Sequence, residues 1–383
     1  MIIRVFADDL TGAAELAGIC KEHALNTLLT VVPTASNHAE AIVYCTDSRS
    51  MELSAALKTT QQFLEPISIA KEEMVYKKTD SVLRGHVVEE LLLQMKQLGY
   101  QRVLFIPENP SMGRIIRNGQ YYVNGQLLSE TAFAHDPEFP RKTADVLAML
   151  AGHGADIHVL QCGDALPEKG IIVGEATSLE DLEQWASRID TGMMLAGGGD
   201  FFQAILQQRL GSPTPTLISP PQQPLLYISG TSFQASVSFI QSVAHESGLV
   251  HYIDADVLEG KSLQTWLGNC ASSLEKSQKA VVAFHPSLQG QTLYSALFLR
   301  KKMASIISEL LSMTAIKEIM VEGGSTAMAI LYELDLPYWV PDAVFRRGVV
   351  RMQDAHQQYA ITLKPGSYSL PDFIHSLFLI NHH

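Results

Sequence analysis

Short apolar runs rich in β-branched and aromatic residues alternate along this chain with stretches of helical periodicity. Runs at residues 2–6, 28–32, 41–45, 102–106, 157–160 and 170–173, with others opening at Met74 and Met193, read as buried strands. Helical pattern follows Ala13 and covers 53–70, the neighbourhood of 87–93, 143–150 and 179–187. Beyond residue 224 the design restarts, with strands at 225–228, 280–284, 319–322 and 359–363 and helices around 235–240 and over 295–311. Strands alternating with helices in this way predict parallel sheets covered by crossover helices. The expected fold class is therefore α/β, as two three-layer α/β/α domains with mainly parallel sheets.

The span 211–224 holds five prolines, which continue neither a helix nor a central strand. The expected domains are 1–212 and 225–383, joined by a proline-rich linker over 213–224. A length of 383 residues supports two domains, because it exceeds what one core usually serves.

The junctions between strands and helices carry the chemistry. Asp8, Asp9, Thr11 and Gly12 follow the first strand, at the edge where open α/β sheets gather their ligands. Capping the helix needs one carboxylate, whereas two adjacent ones repel each other; keeping both points to a hydroxyl donor, a cation or a basic side chain meeting them. The third strand ends in Thr46-Asp47-Ser48-Arg49, whose charges either join that site or pair with each other.

The run from Met74 leads to Lys77, Lys78, Asp80, Ser81 and Arg84. Either lysine, with Arg84, suits a carboxylate or phosphate, Ser81 offers a hydroxyl and Asp80 an orienting acceptor; a capped helix with solvated cations is the alternative. Residues 107–119 are dense in Pro and Gly and read as an ordered loop, continued by a hairpin over 121–126. Arg114 is its best ligand, since a planar guanidinium clamps a carboxylate through two hydrogen bonds. Gly197-Gly198-Gly199 lacks a complete phosphate-loop pattern and reads as close helix-on-strand packing.

In the second half, Ser229-Gly230-Thr231-Ser232 and Gly323-Gly324-Ser325-Thr326 place small hydroxyl residues and glycines at helix starts. Such turns present backbone N–H groups to phosphate, although the first also serves as a plain cap. Lys364, before Pro365-Gly366, either reaches a phosphate or faces water. His251, Asp254 and Asp256 have metal-ligand types without a second cluster, so they read as strand-end polar residues and no metal ligand is assigned.

A net charge of −12 argues against nucleic acid or an anionic membrane surface as the main partner. Four scattered cysteines form no C-x-x-C pair and read as buried thiols of a reducing compartment. With no secretory pattern and no run of membrane-spanning length, a cytoplasmic location is expected.

Taken together, Asp8-Asp9-Leu10-Thr11-Gly12-Ala13, Lys78-Thr79-Asp80-Ser81-Val82-Leu83-Arg84-Gly85, and residues 107–119 with Tyr122, Val123 and Gly125 resemble the four-carbon acid sugar kinase family. The later turns at Ser229, Gly323 and Lys364 fall in that family's order, so the resemblance spans nearly the whole chain. It implies an ATP- and Mg²⁺-dependent kinase acting on the terminal C4 hydroxyl of an acid such as threonate, erythronate or 2-oxo-tetronate. It further implies an acid-holding first domain, an ATP-holding second domain and an active site in the cleft between them. The acid side receives Asp8, Asp9, Lys78, Asp80, Ser81, Arg84 and Arg114. The nucleotide side receives Ser229, Gly230, Thr231, Gly323, Gly324, Ser325, Thr326, Lys364 and Gly366.

Phosphoryl transfer asks mainly for positioning and charge neutralisation. Lys78, Arg84 and Arg114 would clamp the acid, and Asp9 would orient or deprotonate the attacking hydroxyl, with Asp8 or Asp80 as alternatives. Two departures fall on the nucleotide side: Ser325 stands where the family usually has an acid, and Phe345-Arg346-Arg347-Gly348 replaces an Ala-Pro-Gly-type turn. An aspartyl phosphatase would need an acid two residues after its nucleophile, where Leu10 and Thr11 stand. A sugar-acid-binding protein of the same fold that has lost ATP use is the remaining rival. The expected partners are a small anionic sugar acid and ATP; a homodimer is neither required nor excluded.

Overall fold

The computed structural model describes residues 2–35, 38–67, 73–136, 138–152, 154–214, 219–288, 293–366 and 368–379. Two units, Met1–Pro215 and Thr216–His383, divide the chain, and each is considered by itself.

In chain order the first unit contains β1 (Ile3–Ala7), α1 (Leu10–Glu22), β2 (Thr27–Thr30), β3 (Ala41–Cys45), α2 (Leu53–Leu64), β4 (Met74–Lys78), α3 (Val87–Leu98) and β5 (Arg102–Ile106). A small antiparallel sheet follows, β6 (Arg114–Arg117), β7 (Gln120–Val123) and β8 (Gln126–Leu127). The unit ends with α4 (Val146–Leu150), β9 (Ile157–Leu160), β10 (Gly170–Gly174), α5 (Leu179–Ser187), β11 (Met193–Gly197) and α6 (Gly199–Leu210).

The main sheet runs β2-β3-β1-β4-β11-β5-β10-β9, and every neighbouring pair is parallel. Alternation sends Phe6, Tyr44 and Val75 to one face, against Phe63 of α2 and Val88 and Leu91 of α3. Tyr76 faces the other way, its ring against Phe201 and Phe202 of α6. Both faces are thus covered, which is why the strands read as continuous apolar runs. Register then positions the chemistry: Ala7 pairs with Cys45 and Lys78, Lys78 with Gly197, and Gly197 with Ile106. Five strands therefore stop at one level. At Gly197 (φ +143°) a Cβ would lie 1.9 Å from the Ile106 carbonyl oxygen, so the close approach at this glycine is strand on strand rather than the expected helix on strand.

The second unit contains β12 (Leu225–Ser229), α7 (Gln234–Ser247), β13 (Val250–Ile253), α8 (Ala255–Leu258), α9 (Leu263–Ser277), β14 (Lys279–Phe284) and α10 (Ala296–Met313). It continues through β15 (Glu318–Glu322), α11 (Gly324–Glu333), β16 (Tyr338–Arg346), β17 (Val349–Asp354), β18 (Ala360–Lys364) and α12 (Asp372–Phe378). The order β13-β14-β12-β15-β18 is parallel, and β17 and β16 add to it antiparallel. Both units are α/β, with mainly parallel sheets.

Some expectations are corrected. The helix expected over 53–70 ends at Leu64, because Pro66 cannot continue it; residues 68–70 lie outside the described residues. The one expected from 143 begins at Val146, where Asp145 accepts from the Ala148 N–H at 2.7 Å. Arg114 opens a strand rather than sitting in a loop. Cys162 is only half-buried, whereas Cys20, Cys45 and Cys270 are buried, all as free thiols. Helix α9 and the antiparallel strands β16 and β17 were not anticipated; Pro341 and a register shift beside it break the strand pattern of β16. Among the described residues no helix is long and apolar enough to cross a membrane.

Candidate active site

Helix α1 starts where Asp9 adopts extended backbone and accepts from the Gly12 N–H at 3.2 Å. The Thr11 hydroxyl donates to its other oxygen at 2.5 Å. A Cβ on Gly12 would lie 2.6 Å from Asp9 Oδ1 and 3.3 Å from Lys78 Nζ, so only glycine lets both groups crowd the helix start. Asp9 is therefore the cap, and it is also more than a cap. Arg49 donates to Asp8 through Nε and Nη2 at 3.0 and 2.8 Å and to Asp9 through Nη2 at 2.6 Å, while its Nη1 lies 3.5 Å from Asp80. Of the two readings open for Arg49, it joins the site.

Asp80 closes its own turn by accepting from the Val82 and Arg84 N–H groups at 3.0 and 3.2 Å. It takes the Arg84 guanidinium in a fork at 3.1 and 2.9 Å, and the remaining Arg84 arm donates to Asp136 at 3.1 Å. The Arg114 guanidinium donates to the Ser81 hydroxyl and makes no ion pair among the described residues. Strand alternation separates the two lysines. Lys77 pairs with Glu90 of α3, while Lys78, near Gly12, donates to the Thr79 carbonyl at 2.9 Å and lies 3.7 Å from Glu15. The residues expected on the acid side thus converge.

Electrostatics sets the protonation of Asp9 and Asp80. Burial opposes charge on Asp9 and Asp80, yet the nearby cations outweigh it. Arg49 and Lys78 hold Asp9 below the usual carboxylate range, and Arg84 and Arg49 hold Asp80 well below it. Burial likewise opposes the Arg49 charge, and the three carboxylates around it raise its pKa well above the ordinary value. Such carboxylates remain ionised and orient donors well, but they are weak proton acceptors.

In the second unit the three expected turns close on one another. A Cβ on Gly230 would fall 1.9 Å from Thr326 Oγ1, and one on Gly366 would fall 2.7 Å from Thr231 Oγ1. The Gly230 N–H donates to the Glu322 carbonyl at 3.1 Å and the Gly323 N–H to the Lys364 carbonyl at 2.9 Å. Glu322 ends β15 fully buried. Its carboxylate accepts from Tyr227 Oη at 2.6 Å, Ser229 Oγ at 3.1 Å, Ser236 Oγ at 2.5 Å and Lys364 Nζ at 2.5 Å.

This corrects the expectation for Lys364, which neither faces water nor stands free for a phosphate. An ammonium buried at a strand end must be paired, and Glu322 pairs it. Burial, opposed by Glu322, pulls the lysine below its ordinary pKa. Thr326 is packed under Gly230 rather than open, while Ser325 is exposed at the start of α11. Among the described residues no group of three or more His, Cys, Asp or Glu could hold a metal ion. His251 shares a hydrogen bond with Ser273 at 2.8 Å.

The sequence left Arg49 open between two readings and assigned no role to Asp136 or Glu322. Arg49 follows a strand end and Glu322 precedes a glycine pair, so both carried a positional signal. Asp136 carried none, because its partner Arg84 is 52 residues away.

The carboxyl edge of a parallel α/β sheet thus brings Asp8, Asp9 and Asp80 together with Arg49, Lys78 and Arg84. The family described as "Sugar-binding N-terminal domain" matches residues 3–205. The chain belongs to the four-carbon acid sugar kinase family. Among curated relatives, a D-threonate kinase of Salmonella typhimurium is 29% identical over 150 residues, covering 38% of this chain and 36% of that protein. A 3-oxo-tetronate kinase of Brucella melitensis is 29% identical over 157 residues, 39% of this chain and 36% of the relative. The chain thus matches little more than a third of the length of these relatives. The crystal structure of a DUF1537 protein from Haemophilus influenzae superposes with a TM-score of 0.75 at 18% identity, covering 98% of both chains, and supports the fold.

Proposed function

We propose that this protein is an ATP-dependent kinase that phosphorylates the terminal C4 hydroxyl of a four-carbon sugar acid, threonate or an oxo-tetronate being the first candidates. One observation carries the reading: Lys78, Arg84 and Arg114 converge with Asp8, Asp9 and Asp80 at one sheet edge, in a chain whose curated relatives are named kinases of such acids. Residues 1–212 would hold the acid and 225–383 the nucleotide.

In this reading the Arg114 guanidinium, which makes no ion pair among the described residues, takes the acid's carboxylate, with Lys78 and Ser81 supplying further donors. Asp9, ionised and firmly held, orients the attacking hydroxyl rather than removing its proton early, which suits a loose transition state with little bond formation to the nucleophile. The N–H groups that open α11, at Gly324 and Ser325, would face a polyphosphate, because the first N–H groups of a helix have no intrahelical partner. Mg²⁺ would arrive with ATP as part of the nucleotide substrate, and the positioned hydroxyl receives its terminal phosphoryl group.

A second reading is a sugar-acid-binding protein with weak ATP use, favoured by the commitment of Lys364 to Glu322 and by the exposed Ser325. An ADP-release assay with Mg²⁺-ATP against threonates, erythronates and oxo-tetronates separates the two. Turnover with one acid, lost in Asp9→Ala, is expected. No acid-stimulated turnover, together with thermal stabilisation by an acid but not by ATP, would establish the second reading instead.

A further inference from the structure

The loop between the small sheet and α4 places one aromatic ring beside two of the site's arginines. The ring of Phe133 lies with its centroid 5.8 Å from the guanidinium carbon of Arg84 and 5.8 Å from that of Arg114. It is half-buried and packs on the main core of the first unit. The loop around it is tied down on several sides. Phe133 O accepts from the Arg141 N–H at 2.9 Å, the Arg141 side chain donates to the Leu83 carbonyl, and Asp136 holds Arg84 at 3.1 Å. Asp136 also accepts from the Glu138 and Phe139 N–H groups at 3.0 and 2.8 Å.

The consequences for the two arginines differ. Arg84 is committed to Asp80 and Asp136, whereas Arg114 gives one arm to Ser81 and makes no ion pair among the described residues. An aromatic face beside a guanidinium favours its charge without consuming a donor. It leaves the planar fork available to an incoming carboxylate, and it puts a rigid apolar plate beside that fork. A short polyol acid can lay its C–H groups against such a plate; a longer acid meets it as a wall.

We propose that Phe133 is a specificity-determining residue that limits the acid's chain length by bounding the space beside Arg114. This rests on the kinase reading above. The test is steady-state kinetics of the full chain and its Phe133→Ala, Phe133→Leu and Phe133→Tyr variants, with Mg²⁺-ATP and a panel of four- and five-carbon aldonates.

Phe133→Ala should raise the KM for the four-carbon acid about tenfold and cut its kcat/KM advantage over five-carbon acids by about tenfold, the scale at which apolar pocket contacts discriminate. Its KM for ATP should stay within about twofold, since the nucleotide turns are elsewhere in the chain. Phe133→Tyr, which keeps the plate, should restore the preference, and Phe133→Leu should fall between. Equal preference ratios in wild type and Phe133→Ala would overturn the proposal while leaving the kinase reading intact. Equal increases in the KM for acid and for ATP would also overturn it, as the mark of a general structural loss. No acid-dependent turnover by the wild type would remove the kinase reading and this inference with it.

Discussion

The Glu322–Lys364 pair gives the strongest quantitative test of how the second unit is built. Both side chains are fully buried, and the pair joins β15 to β18, while Tyr227, Ser229 and Ser236 tie the same carboxylate to β12 and α7. Lys364→Met removes the ammonium and leaves the carboxylate with hydroxyl donors alone. Breaking a buried pair from one side costs about 3–5 kcal/mol, whereas removing both charges costs less than the sum. For a unit of this size each kcal/mol shifts the midpoint by about 2–4 °C, so the single variant should melt roughly 6–20 °C lower. Urea unfolding followed by circular dichroism on wild type, Lys364→Met, Glu322→Gln and the double variant closes the cycle. The expected coupling is about 2 kcal/mol or more, within the range for contacting residues. Additive single costs, or a Lys364→Met penalty below about 1 kcal/mol, would refute the argument that this pair is a committed structural element.

Three further outcomes follow from the first unit. Arg49→Lys keeps the charge but loses the fork that spans Asp8 and Asp9, and should cost about 1–3 kcal/mol in urea unfolding; an unchanged midpoint would show that the bridge contributes nothing. The folded pKa of Asp80 is depressed, so its stabilisation is complete above the unfolded value of about 3.9 and is lost as pH falls below it. The stability gap between wild type and Asp80→Asn should therefore narrow from pH 7 to pH 3, and a constant gap would contradict the assignment. Glu108 shows the opposite sign. Burial raises its pKa well above the ordinary value; one oxygen accepts from the Ala176 N–H at 2.9 Å and the other has no hydrogen-bond partner among the described residues. Stability should then decline as pH climbs above about 4.3, and Glu108→Gln should match wild type in mild acid and exceed it at pH 8 in thermal unfolding.

The first strand, its helix and the Asp8-Asp9 turn were legible because periodicity, capping and charge are local properties that agree there. The level at which the strands end was legible only in outline. Whether Arg49 turns inward depends on the pairing of β1 with β3, which no window of sequence contains. Strand alternation could have separated Lys77 from Lys78, since Tyr76 faces α6 and Lys77 must then face α3. Phe133 and Asp136 reach Arg84 across about fifty residues, and only the tertiary fold brings them together. Strand β16 was hidden by Pro341 and Asp342, which interrupt its apolar alternation, although the register shift between Pro341 and Ala343 accommodates both.

In the proposed reading the two units would hold their anions in opposite ways. In the first, fixed carboxylates are met by fixed cations: Asp8, Asp9, Asp80 and Asp136 are matched by Arg49 and Arg84, and Arg114 remains without a carboxylate partner among the described residues. An incoming carboxylate can complete that balance without displacing an existing pair. In the second, the lysine expected to supply charge is paired with Glu322, the Gly230 and Gly323 N–H groups donate to the Glu322 and Lys364 carbonyls, and the N–H groups opening α11 are what would meet a nucleotide. Affinity for the acid should accordingly respond to single charge changes and to salt, while affinity for a nucleotide should respond to whatever alters the spacing of the turns. Ser325, where the family usually has an acid, changes a charge at an exposed helix start; in the proposed reading it would alter nucleotide affinity through that charge and not through the spacing of the turns.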